Sequence, residues 1–253
     1  VFRDRVLKSN TYQYDRFFQE SFLDIGDNDG QNITALEAYA DRVLVFKERT
    51  VYIINVSGTE DMMEDVSSEN GVKFAGQVVR TPFGIAWINY SGCHLYDGEK
   101  ITQLQMGKIN DDTWSNSFGA RPLIGYEPTR KQLIILCSGD DTGTGADAGF
   151  IYSFLSDSWM QTDTMKPSTN AVSNMVNGKD GKLYLKGGTS NDKIYSLETV
   201  PSTSSGFTGE YKSPQLHFGN FDNKKNLCKV SISYKYGGSG LSVSLATDGS
   251  TSF

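Results

Sequence analysis

The chain has 253 residues, of which 38% are hydrophobic and 21% charged, and carries a formal net charge of -6. That length buries a substantial core, while the acidic balance excludes a general grip on nucleic acid, which needs clustered Lys and Arg to neutralise phosphates. Wholly apolar runs are only a few residues long, far short of the roughly 20 a membrane-spanning helix needs, and Val1-Phe-Arg-Asp-Arg5 lacks the apolar core of a secretory signal.

Residues 1–32 read as the tail of an earlier repeat, because Arg5-Val-Leu-Lys-Ser9 supplies a strand with little before it. From there one pattern recurs: a strand-like apolar run, a tight polar turn, then a second short run carrying a tyrosine. It is written in Arg42–Phe46 with Val51–Ile54, Ile85–Ile88 with His94–Tyr96, Gln132–Leu136 with Phe150–Tyr152, and Lys182–Leu185 with Lys193–Tyr195. Tyr52, Tyr96, Tyr152 and Tyr195 are spaced by 44, 56 and 43 residues, and repetition near that period marks four-stranded propeller blades. The expected fold is therefore all-β, with a β-propeller over 1–200 whose blades run 33–66, 72–106, 118–165 and 170–200. The long third spacing has a local cause, the polar insertion Gly139–Gly149 between two strands. Alternation predicts a strand at Gly71–Ala75, and Glu60–Glu69 could form a short helix.

Pro201–Gly206 reads as a linker of strand breakers and small polar residues. Beyond it, residues 207–253 carry longer alternating strands with Gly-rich turns, as at the opening of a β-sandwich. The strand-like ending at Phe253 predicts that a neighbour or further sequence completes it.

No residue set selects a catalytic centre, a cofactor or a structural metal. Cys93 and His94 are successive residues of one strand and so point to opposite faces, which separates any nucleophile from its base. His217 sits at a strand end without partners. The three cysteines, Cys93, Cys137 and Cys228, are too few and scattered for a disulfide framework and are expected to be small buried hydrophobes. The acidic run Asp24–Gly30 has the ligand types calcium wants, but its consecutive Asp27-Asn28-Asp29 misses the alternating spacing of a calcium loop, which favours a solvated turn. The 139–149 loop, with three carboxylates, is the better place for calcium. Trp87 and Trp159 sit in strand-like contexts that favour packing, leaving Trp114, within the polar Asn110–Asn116, as the one candidate for an exposed ligand contact. The sequons at Asn32, Asn55 and Asn89 are read as coincidences of a Ser- and Asn-rich sequence.

Ile33–Ile54, together with Arg5–Asn10, Phe22–Gly26 and Leu216–Lys225, resembles β-propeller virion proteins of tailed bacteriophages, of the tail-nozzle and head-closure, packaged-DNA stabilisation type. The likeness covers most of the chain and rests on packing and turn motifs, which specify an architecture better than an activity. It implies a non-enzymatic structural protein, a subunit in a ring of identical chains that contacts other tail or connector proteins. Such a ring conducts and retains double-stranded DNA without reading its sequence and crosses no membrane. Two other classes use the same fold: a receptor- or carbohydrate-binding propeller of a tail tip or fibre, and a glycan-cleaving propeller with two carboxylates facing across its central mouth.

Overall fold

The computed structural model describes residues 3–10, 12–26, 29–58, 61–138, 148–162, 172–187, 193–197, 228–231 and 243–244. The chain divides into two compact units, Val1–Ser202 and Thr203–Phe253. The linker, most of the expected sandwich, His217, and residues 139–147 of the loop considered for calcium lie outside the described residues. In the second unit Cys228 is exposed, which corrects its expected burial.

The first unit is nearly all-β. A short antiparallel pair, β1 (Arg5–Leu7) and β2 (Phe22–Asp24), precedes three four-stranded sheets. The first sheet holds β3 (Ile33–Tyr39), β4 (Arg42–Lys47), β5 (Thr50–Asn55) and β6 (Met62–Ser68). The second holds β7 (Val78–Thr81), β8 (Gly84–Asn89), β9 (Gly92–Tyr96) and β10 (Ile101–Gln103). After a short helix α1 (Asp111–Ser117), the third holds β11 (Leu123–Glu127), β12 (Gln132–Leu136), β13 (Gly149–Ser153) and β14 (Ser158–Thr162). Three strands follow, β15 (Val172–Asn177), β16 (Leu183–Gly187) and β17 (Lys193–Ser196), as the fourth sheet. Each sheet is an antiparallel meander whose strands pair in chain order. Gly84, at φ +139 where Cβ would meet the Tyr96 carbonyl, is the residue that lets the β7–β8 turn close.

Successive residues of a strand point to opposite faces, and here both faces of the middle strands are apolar. Val43 and Val45 of β4 meet Val6, Leu23 and Ile25 of the β1–β2 region, whereas Leu44 and Phe46 meet Ile85, Trp87 and Tyr96 of the second sheet. Ala86, Ile88 and Cys93 turn the other way, onto Leu133, Ile135 and Phe150 of the third sheet. Leu123 and Leu136 then pack on Leu185 and Met175 of the fourth. The sheets lie in series, each interface a continuous apolar layer in which a buried Leu, Ile or Val contributes about 1.5–3 kcal/mol. First strands meet one another, β3 against β7, β7 against β11 and β11 against β15. The fourth strands β6 and β14 lie mostly exposed at the other margin.

The four repeat tyrosines occupy matching places. Tyr52, Tyr96, Tyr152 and Tyr195 each lie on the third strand of their sheet and face the preceding sheet. Two local expectations fail. Met62–Ser68 is a strand, because its backbone completes the pairing of β5 from Thr50 to Asn55, and no helix forms there. Gly71–Ala75 is not a strand: Val72 N donates to Lys47 O, and the Gln77 side chain accepts from Lys73 N and Phe74 N. This folds the segment into the 3-10 turn Ala75–Gln77.

Candidate functional site

The residues singled out for chemistry are mostly committed to structure. Cys93 and His94 point to opposite faces as expected, Cys93 into the layer between the second and third sheets and His94 against Trp87 of the same sheet. The His94 ring stacks on Trp87 at 5.4 Å, is only 4% exposed, and has Ser91 Oγ at 3.2 Å from Nε2. Burial pulls its pKa down to about 4, so the ring is neutral near neutral pH. Burial raises the Cys93 thiol well above its ordinary range and Cys137 to about 12, which makes both inert as thiolates.

Trp114 is the main correction. It is 1% exposed and belongs to the core, where its ring meets Phe118, Phe150 and Trp159. Its indole Nε1 donates to Asn89 O at 3.0 Å. The polar residues around it form the cap and first turn of α1, with Asn110 Oδ1 accepting from Asp112 N. That turn points its acids outward and its tryptophan inward, so Trp114 cannot serve as an exposed ligand contact. Trp87 and Trp159 pack as expected, and their indoles donate to Asn70 O and Leu104 O across successive segments.

Of the acidic run before Gly30, Asp27 and Asn28 lie outside the described residues, while Asp24 and Asp29 pair with cations, and Asp29 forms part of a latch. Lys47, fully buried, places Nζ 2.8 Å from Asp4 Oδ1, 2.9 Å from Asp29 Oδ2 and 3.0 Å from Gly26 O. All three ammonium donors are thus used. Burial alone would lower the Lys47 pKa, but the hydrogen bonds to Asp4 and Asp29 outweigh it and hold the pKa above the ordinary lysine range. Asp24 pairs with Arg5 through two hydrogen bonds. These carboxylates neutralise cations, and among the described residues no group of three or more His, Cys, Asp or Glu is placed to hold a metal. No helix among them is long and apolar enough to cross a membrane. The Nδ2 atoms of Asn32, Asn55 and Asn89 each donate to a protein acceptor.

A concave site lies among the described residues. At the end of the sheets where the β4–β5 and β8–β9 turns project, the β6–β7 and α1–β11 connections join them around a cleft of about 350 Å³. Its wall is rigidly hung. Carbonyls of Glu69, Asn70 and Gly71 accept in turn from Asn89 Nδ2, Trp87 Nε1 and again Asn89 Nδ2, at 3.2, 2.7 and 3.0 Å. Glu69 adopts φ 63 at the first of these positions, a left-handed conformation uncommon for a side chain of its size. The cleft is lined by Arg49, Lys73, Phe74 and Tyr90, together with Glu48 and Glu69. Lys73 Nζ lies 5.7 Å from the Tyr90 ring centre, and the Arg121 guanidinium 5.3 Å from that of Phe74, both within cation–π range. Arg49, Lys73 and Arg121 form no ion pair with a carboxylate of the described residues, whereas Arg5, Lys8, Arg42, Lys47 and Lys108 all do. Sequence reading missed this site because its residues come from four connections, and no single stretch is enriched in them.

No family model and no curated protein matches the chain. Among solved structures it is similar to the extracellular domain of the one-component system BT4673 from B. thetaiotaomicron, with 14% identity and a TM-score of 0.47, over 77% of this chain and 24% of that one. It is also similar to Kluyvelomyces marxianus Hsv2, with 10% identity and a TM-score of 0.46, over 83% of this chain and 57% of that one. The chain thus spans about a quarter of the first structure and just over half of the second. With TM-scores under one half, these likenesses carry neither fold nor function over to this chain.

Proposed function

We propose that the first unit is a run of β-propeller blades and that the protein is a structural, non-enzymatic subunit of a tailed-phage virion. In this reading identical chains form a ring of the tail nozzle or head-to-tail channel, which conducts and retains DNA. The propeller reading is supported by the serial stacking of four-stranded meanders, by first strands that meet one another and by fourth strands left at the outer margin. The resemblance of Ile33–Ile54 and its flanking segments to phage virion propellers supports the setting.

The observation that carries the subunit role is the apolar surface at both ends of the stack. Leu7 and Phe22, cross-strand partners on the side of β1–β2 away from the first sheet, are exposed, as are Tyr12, Tyr14, Phe17 and Phe18 in the intervening connection. At the opposite end Val176 and Ile194 are exposed on the face of the fourth sheet that turns away from the third. Apolar surface gathered in this way marks an interaction site on a soluble protein, and two different faces on one chain allow head-to-tail association into a closed ring. The acidic net charge suits a channel that must release DNA, since tight phosphate neutralisation would hold it. Sedimentation velocity on the purified chain tests the role. A discrete oligomer, broken to monomer by Phe17→Ser with Phe18→Ser, is the expected result, and a wild-type monomer at micromolar concentration would contradict it.

A further inference from the structure

We propose that the cleft between the β4–β5, β6–β7 and β8–β9 connections binds an acidic saccharide. The ligand's carboxylate pairs with Arg49 and Lys73, and the apolar face of its sugar ring lies on Tyr90. The inference stands on the cleft alone and goes beyond the structural role.

Three observations select this chemistry. First, Arg49 and Lys73 both line this cleft without a carboxylate partner among the described residues, and Lys73 Nζ lies 5.7 Å from the centre of the Tyr90 ring. A bound carboxylate supplies the missing counter-charge through charge-assisted hydrogen bonds. Secondly, Tyr90 is 52% exposed at the tip of the β8–β9 turn. The turn that carries it is braced by the Asn89 side chain, whose Oδ1 accepts from Ser91 N, Ser91 Oγ and Gly92 N. A rigid aromatic side chain presents contact area at low entropic cost, and the C–H face of a pyranose is an apolar surface that covers it. Thirdly, Glu48 and Glu69 on the walls are acceptors suited to sugar hydroxyls.

The same two carboxylates argue against other anions. A polyphosphate concentrates several charges within reach of both Glu48 and Glu69, whereas a uronate carries one charge per sugar ring, set apart by several hydroxyl donors. A purely apolar ligand would leave Arg49 and Lys73 unpaired. The wall needs no rearrangement to accept a ligand, since its three carbonyls are already tied to Trp87 and Asn89.

Isothermal titration of the 253-residue chain with tri-galacturonate, maltotriose and glucose 6-phosphate tests the proposal. Tri-galacturonate is expected to bind, more weakly as salt rises, while maltotriose gives no heat and glucose 6-phosphate binds at least tenfold more weakly. Lys73→Gln and Tyr90→Ala, both at exposed positions and checked for an unchanged melting temperature, should each weaken tri-galacturonate about tenfold. Lys100→Gln, in the β9–β10 turn, should not. Absence of tri-galacturonate binding would overturn the proposal, as would glucose 6-phosphate binding as tightly, or folded Lys73 and Tyr90 variants that bind as the wild type does. None of these outcomes bears on the oligomer measured by sedimentation.

Discussion

Protonation of His94 should loosen the interface between the first and second sheets in a defined pH window. The ring is buried, stacked on Trp87, and has a serine hydroxyl as its polar neighbour. Burial is the cause that lowers its pKa from 6.5 to about 4. In the unfolded chain the imidazole takes up a proton as pH falls through 6.5, while the folded chain resists until about 4. Stability from the neutral ring is therefore fully present above pH 6.5 and is lost progressively down to about pH 4. The loss is about 1.4 kcal/mol per pH unit across that window, or ~3 kcal/mol in all. Urea unfolding of wild type and His94→Phe, near pH 7.5 and near pH 4.5, isolates the effect, because carboxylate titrations are common to both proteins and cancel in the difference. Phenylalanine keeps the ring contact with Trp87 and cannot be protonated. The variant should lose some stability at neutral pH, through the Ser91 contact, and gain on the wild type by roughly 2.5 kcal/mol between the two pH values. A difference between the two proteins that does not change with pH would refute the reasoning.

Other outcomes follow from the packing and the latch. Ile135→Ala, at a fully buried position between the second and third sheets, should cost about 2–5 kcal/mol in chemical denaturation, and a shift near zero would place that strand at the periphery. Lys47→Met leaves Asp4 and Asp29 without their shared cation. Both carboxylates are about a fifth exposed, so the loss should fall at or below the lower end of the ~3–5 kcal/mol typical of a broken buried pair. Adding Asp29→Asn to that variant should recover part of it, and no recovery would show that the charges do not interact. In the native chain a thiol reagent should modify Cys228 quickly and leave Cys93 and Cys137 untouched until urea is added; fast labelling of all three would contradict the burial of the middle strands.

The second and third strands of the first three sheets were legible in the sequence because both of their faces are largely buried. Runs such as Val43–Phe46 and Leu133–Leu136 are apolar throughout, and the tyrosine that follows each run marks the same place in every sheet. First and fourth strands were harder. Met62–Ser68 is an exposed edge held by backbone pairing to β5, so its polar side chains say little about strand or helix. Val78–Thr81 is short and was hidden by the alternation of Gly71–Ala75, which local hydrogen bonds to Gln77 divert into a turn. Trp114 misled because a single helical turn can be polar on three sides and still bury its fourth; the signal available was the Asn110 cap followed by two acids. Neither the Lys47 latch nor the cleft left a local trace, since Asp4 and Asp29 are far from Lys47 in sequence and the cleft draws on four connections.

Electron cryomicroscopy of the native particle, with the chain located by its density, tests the central claim most directly. The account predicts copies related by rotation in a closed ring around the DNA channel, with the β1–β2 end and the fourth sheet buried at contacts. Density only on peripheral fibres, or copies whose Phe17, Phe18 and Ile194 face open solvent, would contradict it.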